Sequence, residues 1–249
     1  MDLISTGYDI LDEYLGGGLI KGGTNLIIER GGFLGRHGCW GDVFCILLLK
    51  KRLELGDIGL IDCFSATPSQ IISLAKDYGV DLTIPHSEGK LHFLDFSSLE
   101  IAPITLGVKE FDLTTFASQY VEKLRELVPQ GDVFNIVISF TSSILRSGEN
   151  EIYEHLVSEK KLYESAKRTS LYLVEGIFHT EEYIDRLKPL FDTVIELKVT
   201  GWGKGVEAYK KEYRRILFVE KSKTSSKFSI PLEYEIKLKP TPGLEFYKI

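Results

Sequence analysis

Apolar positions along the chain follow two alternating rhythms. Short β-rich runs predict strands: "TNLIIE" (24–29), "IGLIDCF" (58–64), "LHFLDF" (91–96), "VFNIVISF" (133–140) and "SLYLVEGI" (170–177). The fourth is apolar nearly throughout, as a strand buried on both faces should be. Longer runs between them carry helical spacing. "DVFCILLLKKRLEL" (42–55) predicts a helix closing at Gly56. "TPSQIISLAKDYG" (67–79) predicts one capped by Thr67, with Pro68 in its first turn and Gln70 completing a capping box. "TTFASQYVEKLRELV" (114–128) is amphipathic, with Phe116, Tyr120, Leu124 and Leu127 on one side, and "EIYEHLVSEKKLYESAKR" (151–168) predicts a further helix. A short helix begins near Thr180. The tail then turns strand-rich, with "TVIELKV", "YRRILFVEKS", "YEIKLK" and "LEFYKI" joined by turns such as "GWGKG" and "PTPG".

This alternation predicts an α/β fold in three layers, with a mostly parallel central sheet and helices on both faces. Antiparallel C-terminal strands are added at one end. No repeat or long linker divides the chain, so residues 1–249 are expected to form a single domain. Ligands of such sheets bind beyond the carboxyl ends of the strands. The loops to weigh therefore follow 24–29, 58–64, 133–140 and 170–177.

The first of these loops is "GGFLGRHGCWGDV" (31–43), as rich in glycine as a loop that cradles phosphate. Such a loop works because backbone N–H groups and a helix N-terminus converge on the anion; a lysine reaches the outer phosphates and a Ser or Thr hydroxyl holds Mg²⁺. No Gly-Lys-Ser or Gly-Lys-Thr occurs in the chain.

The order of features around this loop resembles a known family. The opening "ISTGYDILDEYLGGGLIKGGTNLII" carries Thr6 and Gly7, Leu11 and Asp12, then Gly17 and Gly18 ahead of the first main strand. "LELGDIGLIDCFSATPSQIISLAKDYGVDL" (53–82), "FNIVISFTSSIL", "TSLYLVEG", "FDTVIEL", "RRILFVEKSK" and "GLEFYKI" follow in the family's order. Together they resemble the RecA-superfamily ATPases, in the KaiC/RadA-like branch common in archaea, over nearly the whole chain. The resemblance implies a RecA-like fold, and in active members ATP hydrolysis in rings with sites between subunits.

Position by position, the chemistry has changed. Counted back from Gly56, the eight-residue loop is Gly35, Arg36, His37, Gly38, Cys39, Trp40, Gly41 and Asp42. Gly41 then takes the lysine's place, Asp42 the hydroxyl's, and Trp40 that of a crowded glycine. Counted forward from the strand, those three places fall to Gly38, Cys39 and His37. Both registers lose the lysine and the hydroxyl. Charged hydrogen bonds contribute about 1.5–3 kcal/mol each. Losing both costs about two to four orders of magnitude in affinity. Arg30 or Arg36 is the candidate substitute for the lysine's charge. A carboxylate at Asp42 would complement the helix N-terminus and fill the place of a phosphate.

The remaining family positions are altered too. Ser65 and Ala66 stand where acidic residues would activate water, and Ser139 where an aspartate would support Mg²⁺. Lys221 and Lys223 match a Lys-x-Arg pair that reaches a neighbour's γ-phosphate, without the arginine's fork. Glu175 ends a strand as a substitute base, but more simply matches the family's ordinary strand-end glutamate. Four altered requirements predict a catalytically degenerate protein, a pseudo-ATPase acting as a regulatory or scaffolding subunit. The alternatives are an ATP-binding protein or slow ATPase with a rewired site, and a DNA recombination or repair accessory.

Charge and composition narrow the partners. Net charge is −6, and the loop "TSSILRSGENE" (141–151) has one arginine and two glutamates, poor material for nucleic acid. The expected partner is a protein, either a second copy or an active RecA-family ATPase. No cofactor is favoured, ATP with Mg²⁺ being the one the framework would otherwise suit. Cys39, Cys45 and Cys63 suit buried thiols in a reducing cytoplasm. His37 with Cys39 lacks the paired spacing of a zinc site, and His155 and His179 read as ordinary histidines. The start is acidic, unlike a leader, and the longest apolar run, "VFCILLL" (43–49), is too short to span a bilayer. Scarce Asn and Gln beside abundant Lys and Glu resemble a thermophile's composition.

Overall fold

The computed structural model of the chain describes residues 2–31, 40–97, 113–163, 168–200, 214–223, 233–238 and 243–248. A two-stranded ribbon of β1 (Leu3–Ile4) and β2 (Leu19–Ile20) flanks α1 (Asp9–Leu15). The main chain then runs β3 (Thr24–Arg30), α2 (Trp40–Glu54), β4 (Ile58–Cys63), α3 (Pro68–Asp77), α4 (Thr83–Ser87), β5 (Leu91–Asp95), α5 (Leu113–Leu127) and β6 (Val133–Ile138). It continues through α6 (Phe140–Ser147), α7 (Glu149–Tyr163), β7 (Arg168–Glu175), α8 (Glu181–Leu187), β8 (Thr193–Thr200), β9 (Arg214–Ser222), β10 (Glu233–Leu238) and β11 (Leu244–Lys248).

Among the described residues, nine strands form one sheet in the order β11-β10-β9-β8-β3-β7-β6-β4-β5. Every pair from β8 to β5 is parallel, and β9, β10 and β11 add on antiparallel. This is the expected mostly parallel sheet with helices on both faces. One face packs Ile27, Ile61, Ile136 and Leu173 under α1, α2 and α3; the other packs Leu26, Ile28, Val137 and Tyr172 under α5 to α8.

The entry glycines and acid have structural tasks. Asp12 accepts from the Thr6 N–H at 2.7 Å and the Ser5 hydroxyl at 2.5 Å, folding the opening loop onto α1. Gly18 adopts φ +122, and a Cβ there would lie 2.2 Å from the Ile4 carbonyl oxygen, so only glycine closes the ribbon. α3 is capped as expected: Thr67 Oγ1 accepts from the Gln70 N–H, and Gln70 Oε1 accepts from the Thr67 N–H. In α5, Tyr120, Leu124 and Leu127 are buried; the Phe116 side chain lies outside the description.

Two of the differences from expectation have tertiary reasons. The strand expected over 133–140 ends at Ile138, and "FTSSILRS" is helix α6. Ser139 turns the chain with φ 59 and ψ 37, the one non-glycine residue at positive φ among those described. Ile138 and Phe140 are buried on the two sides of that turn, so the apolar run hid the break. The helix expected over 151–168 overruns its end. Arg168 already belongs to β7, buried to 2% exposure, its guanidinium stacked 5.0 Å from the Tyr120 ring. A charged residue at the end of a helical pattern looks like a helix surface until a partner buries it.

Arg168 closes a polar chain inside the α5–α8 face. Asn135 donates to Asp62 Oδ2 at 3.1 Å, and the Tyr120 hydroxyl donates to Asn135 Oδ1 at 2.8 Å. Burial pushes the Asp62 carboxyl up to about 7, against the pull of Asn135 and the Arg168 charge. The folded chain thus holds this proton to pH about 7, whereas an unfolded aspartate releases it near 3.8. Across that window the folded state binds more protons, so its stability falls as pH rises. Urea denaturation from pH 4 to 8 should show this loss, and Asp62→Asn should flatten it. The Ser139 turn makes a separate forecast: Ser139→Val costs about 1–2 kcal/mol, while Ser139→Gly is neutral or stabilising in the same assay.

Candidate functional site

The carboxyl ends of β3, β4, β6 and β7 form one edge, and α2 starts there. α2 is apolar almost all round, with every residue from Trp40 to Leu49 buried, because it crosses back over the middle of the sheet to reach β4. Its first N–H groups therefore cannot turn to water and need an internal acceptor. Glu29, the next-to-last residue of β3, supplies it. Its Oε1 accepts from the Trp40 N–H at 3.2 Å and its Oε2 from the Gly41 N–H at 3.0 Å. The Glu29 side chain is itself buried, at 1% exposure.

The surroundings of this contact are tight. A Cβ on Gly41 would meet Leu173 at 2.4 Å and Glu29 Oε2 at 3.0 Å. The Trp40 ring is fully buried and stacked 4.9 Å from the Arg215 guanidinium of β9. Asp42 stands buried in the same first turn. Burial, then the charges of Asp42 and Glu29, push the Cys45 thiol well above its usual range.

Sequence reasoning missed Glu29 and expected a carboxylate from Asp42. A signal was present: an acid ending an otherwise apolar strand, directly before a glycine-rich loop. Gly35, Arg36, His37, Gly38 and Cys39 lie outside the described residues. Of the expected loop, Trp40, Gly41 and Asp42 are described, and Trp40 opens the described helix.

Arg30 points elsewhere. Its guanidinium pairs with Glu181, and with Glu196 at 3.4 Å; Lys198 reaches the other Glu196 oxygen at 2.9 Å. Burial works against the Arg30 charge, but these carboxylates outweigh it and raise its pKa. Ser65 and Ala66 follow β4, Ser139 follows β6 and Glu175 ends β7, all on the same edge as Glu29. The Glu175 N–H donates to Thr141 Oγ1 at 2.8 Å, fastening α6 to β7.

Lys221 and Lys223 are not brought to this edge. Ser222 pairs with Thr193 at the start of β8, so both lysines stand at the opposite, amino end of the sheet. Lys221 Nζ donates to the Phe191 carbonyl at 2.6 Å and the Lys188 carbonyl at 3.1 Å, and Lys223 pairs with Asp192 at 2.5 Å. Among the described residues, no three of His, Cys, Asp and Glu converge as a metal ion requires. No helix described is long and apolar enough to cross a membrane.

The architecture has a solved counterpart. It is similar to the crystal structure of a KaiC-like protein from the hyperthermophilic archaeon Pyrococcus horikoshii, with a TM-score of 0.73 over 99% of this chain and 99% of that chain. The fold is RecA-like, of the KaiC-like form. Sequence identity to that protein is 18%. No protein family and no curated protein matches the sequence.

On this RecA-like frame the Glu29 contact is a structural bond between β3 and α2. Glu29→Ala leaves two buried N–H groups without their acceptor, and should cost about 2–4 kcal/mol of stability at one to two charge-assisted bonds. Glu29→Gln, which keeps one carbonyl oxygen, should cost less. Chemical denaturation followed by tryptophan fluorescence measures both.

Proposed function

We propose that this chain is a catalytically degenerate RecA-fold protein that does not turn over ATP and serves as a regulatory or scaffolding subunit in the cytoplasm. The observation that carries the reading is the Glu29 carboxylate across the Trp40 and Gly41 N–H groups. A phosphate at this helix N-terminus would need the same donors and would meet a buried negative charge beside them.

Three further features support it. In the register counted back from Gly56, the lysine position is Gly41, where any side chain would meet Leu173 and Glu29. Arg30, the described substitute for the missing positive charge, is engaged by Glu181 and Glu196. Ser65, Ala66 and Ser139 bring no carboxylate to the strand ends where a magnesium ion or an attacking water would be held. The residues on this edge therefore do not fit a magnesium nucleotide, and no hydrolytic step runs through them. The frame persists because its core does not depend on the chemistry it once housed. Lys221 and Lys223 act within the chain, closing the turn before β8, rather than reaching a neighbour's phosphate.

Calorimetric titration of ATP and ADP, with and without Mg²⁺, tests this beside light-scattering mass. The expected result is no heat and no change of mass at millimolar nucleotide. Micromolar, magnesium-dependent binding would overturn the reading in favour of a rewired nucleotide site.

A further inference from the structure

Large apolar side chains break the surface at one place on the carboxyl edge. Leu145 of α6 is 61% exposed, and Ile177 and Phe178, just past β7, are 55% and 44% exposed. Two contacts bring them side by side. The first turn of α6 is fastened to the end of β7 by the Thr141–Glu175 bond. Just past the other end of α6, Glu149 lies 3.5 Å from His179 Nδ1. Residues 175–179 therefore run along α6. Leu145, one helical turn beyond Thr141, lies on the part of α6 between these two contacts, as Ile177 and Phe178 lie between them on the segment. Contiguous apolar surface of this kind marks a contact site more often than scattered exposed residues do.

The border of this patch is acidic. Glu149, Glu151 and Glu154 are exposed on α7, and Glu181 and Glu182 on the first turn of α8. The nearby cations are fewer: Arg30, paired with Glu181 and Glu196, Arg186, against Asn150 and the Tyr153 ring, and the half-buried Arg146 next to Leu145. Two copies meeting here about a twofold axis would set these carboxylates against one another, since such an interface faces itself. Nucleic acid is repelled for the same reason.

We propose that Leu145, Ile177 and Phe178, within their border of glutamates, dock a segment of another protein whose apolar side chains are flanked by lysine or arginine. Apolar contact supplies the affinity, and the glutamates select the basic partner and speed its approach. This deepens the scaffolding reading and rests on it; peptide binding and nucleotide binding are measured separately, so either can fail without the other.

The probe is an amphipathic model peptide of leucine and lysine, titrated into the full chain by fluorescence anisotropy, with a leucine–glutamate peptide as its counterpart. The Leu/Lys peptide should bind, with a slower association in about 0.5 M salt, where screening acts within a few ångströms. The Leu/Glu peptide should not bind. Leu145→Ser with Ile177→Ser should weaken binding about tenfold or more and leave the melting temperature unchanged, because both side chains are exposed. Glu151→Lys with Glu182→Lys should weaken it as well, leaving the apolar residues intact. Equal binding of wild type and both variants, equal binding of the two peptides, or no binding of the Leu/Lys peptide would overturn the proposal. So would a wild-type dimer whose mass halves in the Leu145→Ser/Ile177→Ser variant, which would assign the patch to a second copy.

Discussion

The burial of α2 from Trp40 to Leu49 is the constraint from which much of the structure follows. A helix laid across the middle of a parallel sheet, covered on every side from Trp40 to Leu49, cannot hydrate its first N–H groups. Something negative must meet them. A bound phosphate is one solution open to a fold of this kind, since a helix N-terminus favours an anion. Here the neighbouring strand carries its own anion on Glu29. The carboxylate is covalently present, so the helix start is satisfied at all times and needs no ligand to order it. What stabilises the helix is also what a phosphate would have to displace.

The two faces of the sheet meet burial differently. Under α1, α2 and α3 the core is apolar apart from Asn25 and the start of α2, where Glu29 and Asp42 are buried. Under α5 to α8 it carries Asp62, Asn135, Tyr120 and Arg168 in a hydrogen-bonded and cation–π chain. Such a chain is costly unless its members find one another, because each is out of water. It ties β4, β6, β7 and α5 into a single arrangement, since only one registration of these elements pairs all four side chains. The price appears in Asp62, whose charge is disfavoured by its own surroundings.

Charge distribution shapes the carboxyl edge. Glu29, Glu175, Glu181 and Glu196 gather there with Arg30 and Lys198 among them, and the lysines of β9 are spent at the opposite edge on carbonyls and Asp192. The sheet and its helix layers have the form seen in the KaiC-like protein of similar fold, at 18% sequence identity.

Much of the frame was legible along the chain. Alternating apolar rhythms located β3 to β8, the capping box at Thr67 and Gln70 started α3, and the strand-rich tail announced the antiparallel addition. These are local signals, set by side-chain spacing and by caps that touch their own backbone. The absence of a lysine from the loop and of carboxylates at Ser65, Ala66 and Ser139 was equally plain, since it is a matter of residue identity. Three things were not legible: that Ile138 ends a strand whose apolar run continues into α6, that Arg168 is a core residue, and that Glu29 holds the start of α2. Each depends on a partner distant in sequence or on a backbone turn that apolar periodicity does not record: Ser139 between two buried segments, Arg168 against Tyr120, and Glu29 against Trp40 and Gly41. The sequence by itself determined which residue types stand in the loop and at the strand ends, because that is written in single residues; only the tertiary structure decided that Glu29 meets the first described turn of α2, because that contact joins two elements across the chain.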